Sequence, residues 1–234
     1  MLADPAILAR NELGMVYANF ARSDQGFIGV ADGQLVSPFM GVSRADWKSM
    51  SRPDDRAVVV IRDPRDQIVS YVFSVAYSHA QHPMIDSTRA ILLSLPREQW
   101  VNFGFYWFQF YAGIIASWFE EQVSTVSVVH YEDLLSDTSA HLERIFAFLN
   151  MEVDEEEVCR IAKENSFLAK SGRQTGKEGL KSHLRKGESG DWRNHFSRSQ
   201  AKLFEELWPG LLLKLGYETD EHWWEKVARP VADA

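Results

Sequence analysis

The sequence predicts an α/β fold with a central parallel sheet flanked by helices, and three observations point to it. Residues 57–61, Ala-Val-Val-Val-Ile, form an apolar run of mostly β-branched side chains, the pattern of a strand buried on both faces. Asp63-Pro64 ends that run, because Pro cannot donate to a sheet ladder, and Ile68, Val69, Val72 and Phe73 then line one side of a helix. A second strand-to-helix passage follows downstream, where Val123 to His130, with Val126 to Val129 as its buried part, runs into Tyr131-Glu132-Asp133-Leu134.

Length and composition set the frame. The 234 residues suit one domain with a substantial core, and 45% hydrophobic, 25% charged residues is a soluble globular balance. A single cysteine, Cys159, excludes an intrachain disulfide and fits a reducing compartment. No signal peptide opens the chain and no apolar run approaches the roughly 20 residues of a membrane helix, so a cytoplasmic protein without a membrane partner is expected. The net charge of −8 argues against nucleic acid as a partner. Against that background, Lys170 to Asn194 carries seven cations and three anions, a basic island suited to a small anionic ligand.

Taken in order, Met1 to Arg10 reads as the end of one helix, a break at Pro5 and the start of another. Asp32-Gly33, between the apolar pieces Phe27–Val30 and Leu35-Val36, predicts a hairpin or turn. After the strand at 57–61, Asp66 is available as N-cap or first-turn anion of the next helix. His79 and His82 lie in a polar stretch with no third metal ligand at suitable spacing and are expected to face solvent. Trp100 to Gln122 reads as a long helix whose seven aromatics between Phe103 and Tyr111 pack a core and line part of an apolar acceptor pocket. Leu142, Ile145, Phe146 and Leu149 form the next apolar stripe, with Ser136, Asp137 and Thr138 as caps, and Asp154 to Glu157 complement the dipole of the helix that follows. Ser197 and Gln200 form a capping box for a last helix that buries Phe204, Leu207, Trp208, Leu211 and Leu215, is interrupted near Pro209 and ends at Gly216.

The candidate site begins where the first strand ends. Ligands of open α/β sheets sit at the carboxyl ends of strands, which directs Arg62 and the Ser70 hydroxyl to an anion site, while a structural pairing of Arg62 with Asp63 or Asp66 is the alternative. Arg62-Asp63-Pro64-Arg65-Asp66 with Ser70 eight residues after Arg62 resembles the 3′-phosphate motif of the sulfotransferase family, whose donor is 3′-phosphoadenylyl sulfate (PAPS). A second segment, Arg185-Lys186-Gly187-Glu188-Ser189-Gly190-Asp191-Trp192-Arg193-Asn194-His195-Phe196, resembles that family's RKGxxGDWxNxF segment, and the two stand in family order. Tyr131-Glu132-Asp133-Leu134 and Asn165-Ser166-Phe167 resemble the segments that meet the adenine.

The resemblance is strongest over residues 57–217 and implies a single sulfotransferase domain with a P-loop-NTPase-like parallel sheet. It implies PAPS as cosubstrate, with no metal, held by Arg62, Ser70, Tyr131, Ser166, Phe167, Arg185, Lys186 and the Gly187 amide. The reaction implied is sulfuryl transfer to a hydroxyl or amine of a small-molecule acceptor, with an inactive member that binds 3′,5′-ADP, PAPS or a partner as the alternative.

Two family features are missing from their expected places. The loop that holds the 5′-phosphosulfate would fall just before Met1, which makes the chain an N-terminally truncated member by this reading. Ser37-Pro38-Phe39-Met40-Gly41 stands where the family has its catalytic His, so no catalytic residue is assigned; Asp32 and Asp46 are candidates for a replacing carboxylate but read better as surface turn residues, and only robust turnover by this chain would point to them or to Lys177. Gly172 to Lys177 mimics a phosphate loop but has three residues between its glycines where four are needed, and it reads better as a basic loop. Little or no transfer by these 234 residues alone is expected.

Overall fold

The computed structural model describes residues 4–16, 22–23, 26–27, 33–37 and 41–228. They group into two compact units, Met1–Ile61 with Gly113–Ser166 and Arg62–Ala112 with Phe167–Ala234.

The first unit holds the expected parallel pair: Ala57–Ile61 lies beside Val126–His130, with Ala57 opposite Val126 and Ile61 opposite His130. Burial on both faces is not observed. Val60 is 52% exposed and Val126–His130 is half-buried throughout, because among the described residues this sheet has two strands, too narrow a surface to be enclosed from both sides. The expected hairpin also takes another form. Phe27 pairs with Arg22, while Leu35 and Val36 pair in parallel with Met15 and Val16, so Phe27 and the Leu35-Val36 piece join different partners. Gly33 does adopt a left-handed backbone (φ 67°), and its carbonyl accepts from the Gly14 amide at 2.7 Å; the glycine starts a parallel ladder instead of closing a hairpin. Residues 28–32 lie outside the described set.

The core of this unit joins three helices. Leu142 and Phe146 of Thr138–Phe148, Val158 and Ile161 of Glu155–Glu164, and Ile7 of Pro5–Arg10 pack together with Met151. Each helix is capped by the acid that the sequence offers: Asp4, Asp137, and Asp154 in a full capping box with Glu157.

In the second unit, helix Pro64–Phe73 buries Ile68, Val69, Val72 and Phe73 and widens into a π turn at Ser74–Ser78. Its cap is Asp63, which accepts the Arg65 amide at 2.9 Å, so of the two expected places for Asp66 it takes the first turn and not the N-cap. Gly104 lets helix Trp100–Ser117 cross closely, since a Cβ there would lie 2.6 Å from the Ile68 side chain. That helix ends earlier than Gln122 because the amides of Trp118, Phe119 and Glu120 bond carbonyls three residues back, which tightens the chain out of α geometry. Phe105 and Phe108 pack against Phe204 and Trp208, whereas Tyr106 and Phe110 of the same aromatic run are exposed.

Helix Pro83–Ser94, which the sequence reading passed over, is tied down by Arg89 to the carbonyls of Val75 (2.8 Å) and His79 (2.6 Å). The last helix has its Ser197/Gln200 capping box and is interrupted after Leu207, resuming at Leu211–Lys214. Leu207 is 50% exposed, contrary to expectation, because the break turns it outward while Leu212 takes a buried place. No helix among the described residues is long and apolar enough to cross a membrane.

Candidate anion-binding site

The two motif segments, more than a hundred residues apart in sequence, meet through Asp66. Its carboxylate accepts from the Gly190 amide at 2.6 Å and the Trp192 amide at 2.8 Å, which fixes the second segment against the first turn of helix Pro64–Phe73. Burial, with Asp63 nearby, raises the Asp66 carboxyl above its usual range, although the Gly190 amide and Arg62 act in the opposite direction.

Arg65, which the sequence reading left without a role, is the structural arginine. It is 1% exposed, reaches both Asp63 oxygens (2.9 and 2.6 Å) and Glu218, and lies between the rings of Trp192 (3.9 Å) and Trp223 (4.7 Å). Arg62 turns toward the second segment, with Nη2 3.5 Å from the Glu188 carbonyl.

Arg185 and Lys186 converge on Asp191. Arg185 pairs with Asp191 and Glu178 and lies 4.4 Å from the centre of the Phe73 ring; Lys186 Nζ is 2.5 Å from Asp191 Oδ1. Asn194 and His195 reach the same carboxylate at 2.9 and 3.2 Å. Burial would raise the Asp191 carboxyl, but His195, Lys186, Arg185 and Asn194 together hold it far below the usual carboxylate range. The same contact raises Lys186 despite its burial. The cations therefore already hold a carboxylate, which the sequence reading counted only as one of three anions in the island.

This arrangement has a pH signature. Asp191→Asn should lower stability at neutral pH by about 3 kcal/mol, since it removes the buried carboxylate on which the partly buried Arg185 and Lys186 converge. A depressed folded-state pKa stabilises above the unfolded value of about 4, and that stabilisation drains away as pH falls below it. Urea unfolding should thus show a gap between wild type and Asp191→Asn that narrows below about pH 4; a gap constant with pH would contradict the assignment.

Gly187 has φ 67°, and a Cβ there would fall 2.2 Å from the Phe167 ring, so these two expected site residues touch. Ser70 and Arg185 line one pocket with Ser74, Ser78 and His183. Arg62, Ser70, Phe167, Arg185, Lys186 and Gly187 thus fall in the second unit, while Tyr131 and Ser166 belong to the first. Tyr131 opens helix Tyr131–Ser136, and Ser166 follows Glu155–Glu164 with its amide on the Lys163 carbonyl at 3.2 Å.

The 172–177 loop and Asp46, considered for the missing features, have structural roles. In the loop at 172–177, Gly176 donates to the Lys186 carbonyl at 2.8 Å and Arg173 braces the carbonyls of Lys177, Leu184 and Arg185, so the loop is an internal strut. Asp46 completes a capping box with Ser43, the Lys177 side chain is exposed, and Asp32 lies outside the described residues. His82 is exposed as expected, but His79 is partly buried, its ring 5.4 Å from that of His183. Among the described residues no group of His, Cys, Asp and Glu is arranged to hold a metal ion.

A family model described as "Sulfotransferase domain" matches residues 45–215. The chain belongs to the sulfotransferase family. Among curated sulfotransferases it is 28% identical over 197 residues to 3-alpha-hydroxysteroid sulfotransferase of Cavia porcellus, covering 76% of this chain and 63% of the relative. It is also 28% identical over 178 residues to sulfotransferase 2A1 of Homo sapiens, covering 68% of this chain and 57% of that protein. The chain thus spans less than two thirds of the length of these relatives. In fold it is similar to mouse sulfotransferase SULT7A1 complexed with PAP (TM-score 0.56, 18% identity, 96% of this chain and 83% of that one). A retinol dehydratase in complex with retinol and PAP is a further neighbour (TM-score 0.51, 21% identity, 77% and 54% covered).

Proposed function

We propose that this sulfotransferase binds PAPS and transfers its sulfuryl group to a hydroxyl or amine of a small-molecule acceptor, leaving 3′,5′-ADP. The observation that carries the reading is the Asp66 bond pair to Gly190 and Trp192, which joins the two phosphate-motif segments into one unit. The donor set fits a phosphate monoester: Arg62 and Arg185 offer planar guanidinium forks, Lys186 a point charge and Ser70 a hydroxyl. Arg185 spends two of its five N–H donors on Asp191 and Glu178, which leaves others for a second anion. At Gly187 the missing Cβ lets the Phe167 ring close on bare backbone, one side of the proposed cradle and a contact that any other residue would break.

In this reading PAPS supplies an activated sulfuryl group, and the residues of the second unit hold its 3′-phosphate and orient the nucleotide. Tyr131, Ser166 and Phe167 are read as adenine contacts. The chain is read as one sulfotransferase domain in the cytoplasm, where Cys159, free and exposed, would stay reduced.

Arg62→Ala and Arg185→Ala test the site. Each removes charge-assisted hydrogen bonds worth about 1.5–3 kcal/mol, so 3′,5′-ADP affinity should fall about tenfold to over a hundredfold in each, measured by calorimetric titration. Unchanged affinity in both would make them structural residues. A second reading, nucleotide binding without transfer, is favoured by the engagement of Asp46 as a helix cap. Transfer of radiolabelled sulfate from PAPS to a panel of phenols, alcohols and amines separates the two.

A further inference from the structure

The pocket beside Ser70 and Arg185 has a wall that no phosphate motif accounts for. The π turn at Ser74–Ser78 brings two hydroxyls to one side, Ser74 Oγ and Ser78 Oγ, 3.1 Å apart. Facing them is His183, two residues before Arg185, with Nδ1 3.3 Å from the Ser74 oxygen and 3.4 Å from the Ser78 oxygen. The two contacts to Nδ1 are long for hydrogen bonds between nitrogen and oxygen, which run to about 3.2 Å, so a stronger acceptor entering the pocket displaces them at little cost. A guanidinium, an imidazole and several hydroxyls make a lining without a carboxylate, which suits an anion.

We propose that His183, with Ser74 and Ser78, is a further phosphate-binding element of this site, a ring nitrogen and two hydroxyls placed to bond the 3′-phosphate of the nucleotide. This rests on the reading that the unit holds a 3′-phosphate. The groups facing His183 are His79, with Arg89 bonded behind it to the His79 carbonyl at 2.6 Å, and Arg185, which brings its partners Glu178 and Asp191. Burial, His183 and Arg89 all push His79 toward its neutral form.

The test is calorimetric titration of 3′,5′-ADP and of 5′-AMP into the full chain, wild type and His183→Ala. The expected result is about tenfold weaker binding of 3′,5′-ADP by His183→Ala. Ser74→Ala should lower the 3′,5′-ADP affinity several-fold, and 5′-AMP binding should not distinguish wild type from either variant. Equal 3′,5′-ADP affinity in wild type and His183→Ala, or an equal loss for both nucleotides, overturns the proposal while leaving the 3′-phosphate site in place. Wild type that does not bind 3′,5′-ADP at all overturns the functional reading itself.

Discussion

Replacing Arg65 with Met is expected to lower the unfolding free energy by about 3–5 kcal/mol, because the substitution removes the buried cation that pairs with Asp63 and Glu218. The guanidinium is 1% exposed, closes ion pairs with Asp63 and Glu218, and fills the gap between Trp192 and Trp223. Burial opposes its charge, yet the two carboxylates keep it more firmly protonated than usual. Arg65→Lys should recover only part of the loss, since an ammonium has neither the planar fork for Asp63 nor a face to stack on indoles. Urea unfolding measures both variants, and a loss below about 1 kcal/mol in Arg65→Met would place the stability of this unit elsewhere.

Gly187→Ala should strike the ligand site more than the core. A left-handed backbone costs a non-glycine residue about 1–2 kcal/mol, and forcing a Cβ into the Phe167 ring adds about 1–3 kcal/mol of overpacking. The strain can be relieved only by moving Phe167 or the segment that carries Arg185 and Lys186, and either movement dismantles the proposed cradle. The expected outcome is a loss of 3′,5′-ADP affinity of about a hundredfold or more, with the melting temperature reduced by a few degrees. Full affinity in Gly187→Ala would mean that the backbone here does not approach the nucleotide.

These positions mark how far the sequence could be read. The strand at 57–61 and its parallel partner were legible from β-branched runs closed by Asp63-Pro64, and so was the capping box of Ser197 and Gln200, because each is set by neighbours along the chain. Helix Trp100–Ser117 was overextended because Trp118 and Phe119 continue the aromatic pattern after the hydrogen bonds have tightened. Pro83–Ser94 was missed although Pro83 stands at its first position, because the polar histidine-rich lead-in masked the spacing of Ile85 and Leu92. Both arginines of the first motif were in view, but only tertiary burial separates Arg65, locked between two indoles, from Arg62. Asp66 was legible as a first-turn acid of its helix and Asp191 as an anion of the basic island, but their further roles depend on partners that no local pattern identifies: four side chains for Asp191, two amides of a distant segment for Asp66.

The central claim is that the joined segments form a site for a 3′-phosphate, and one pair of titrations tests it most directly. Calorimetry of 3′,5′-ADP against 5′-AMP, on the same preparation, isolates the one group by which the ligands differ. Two or more charge-assisted hydrogen bonds to that group predict at least about a hundredfold tighter binding of 3′,5′-ADP. Equal affinities for the two nucleotides would contradict the account.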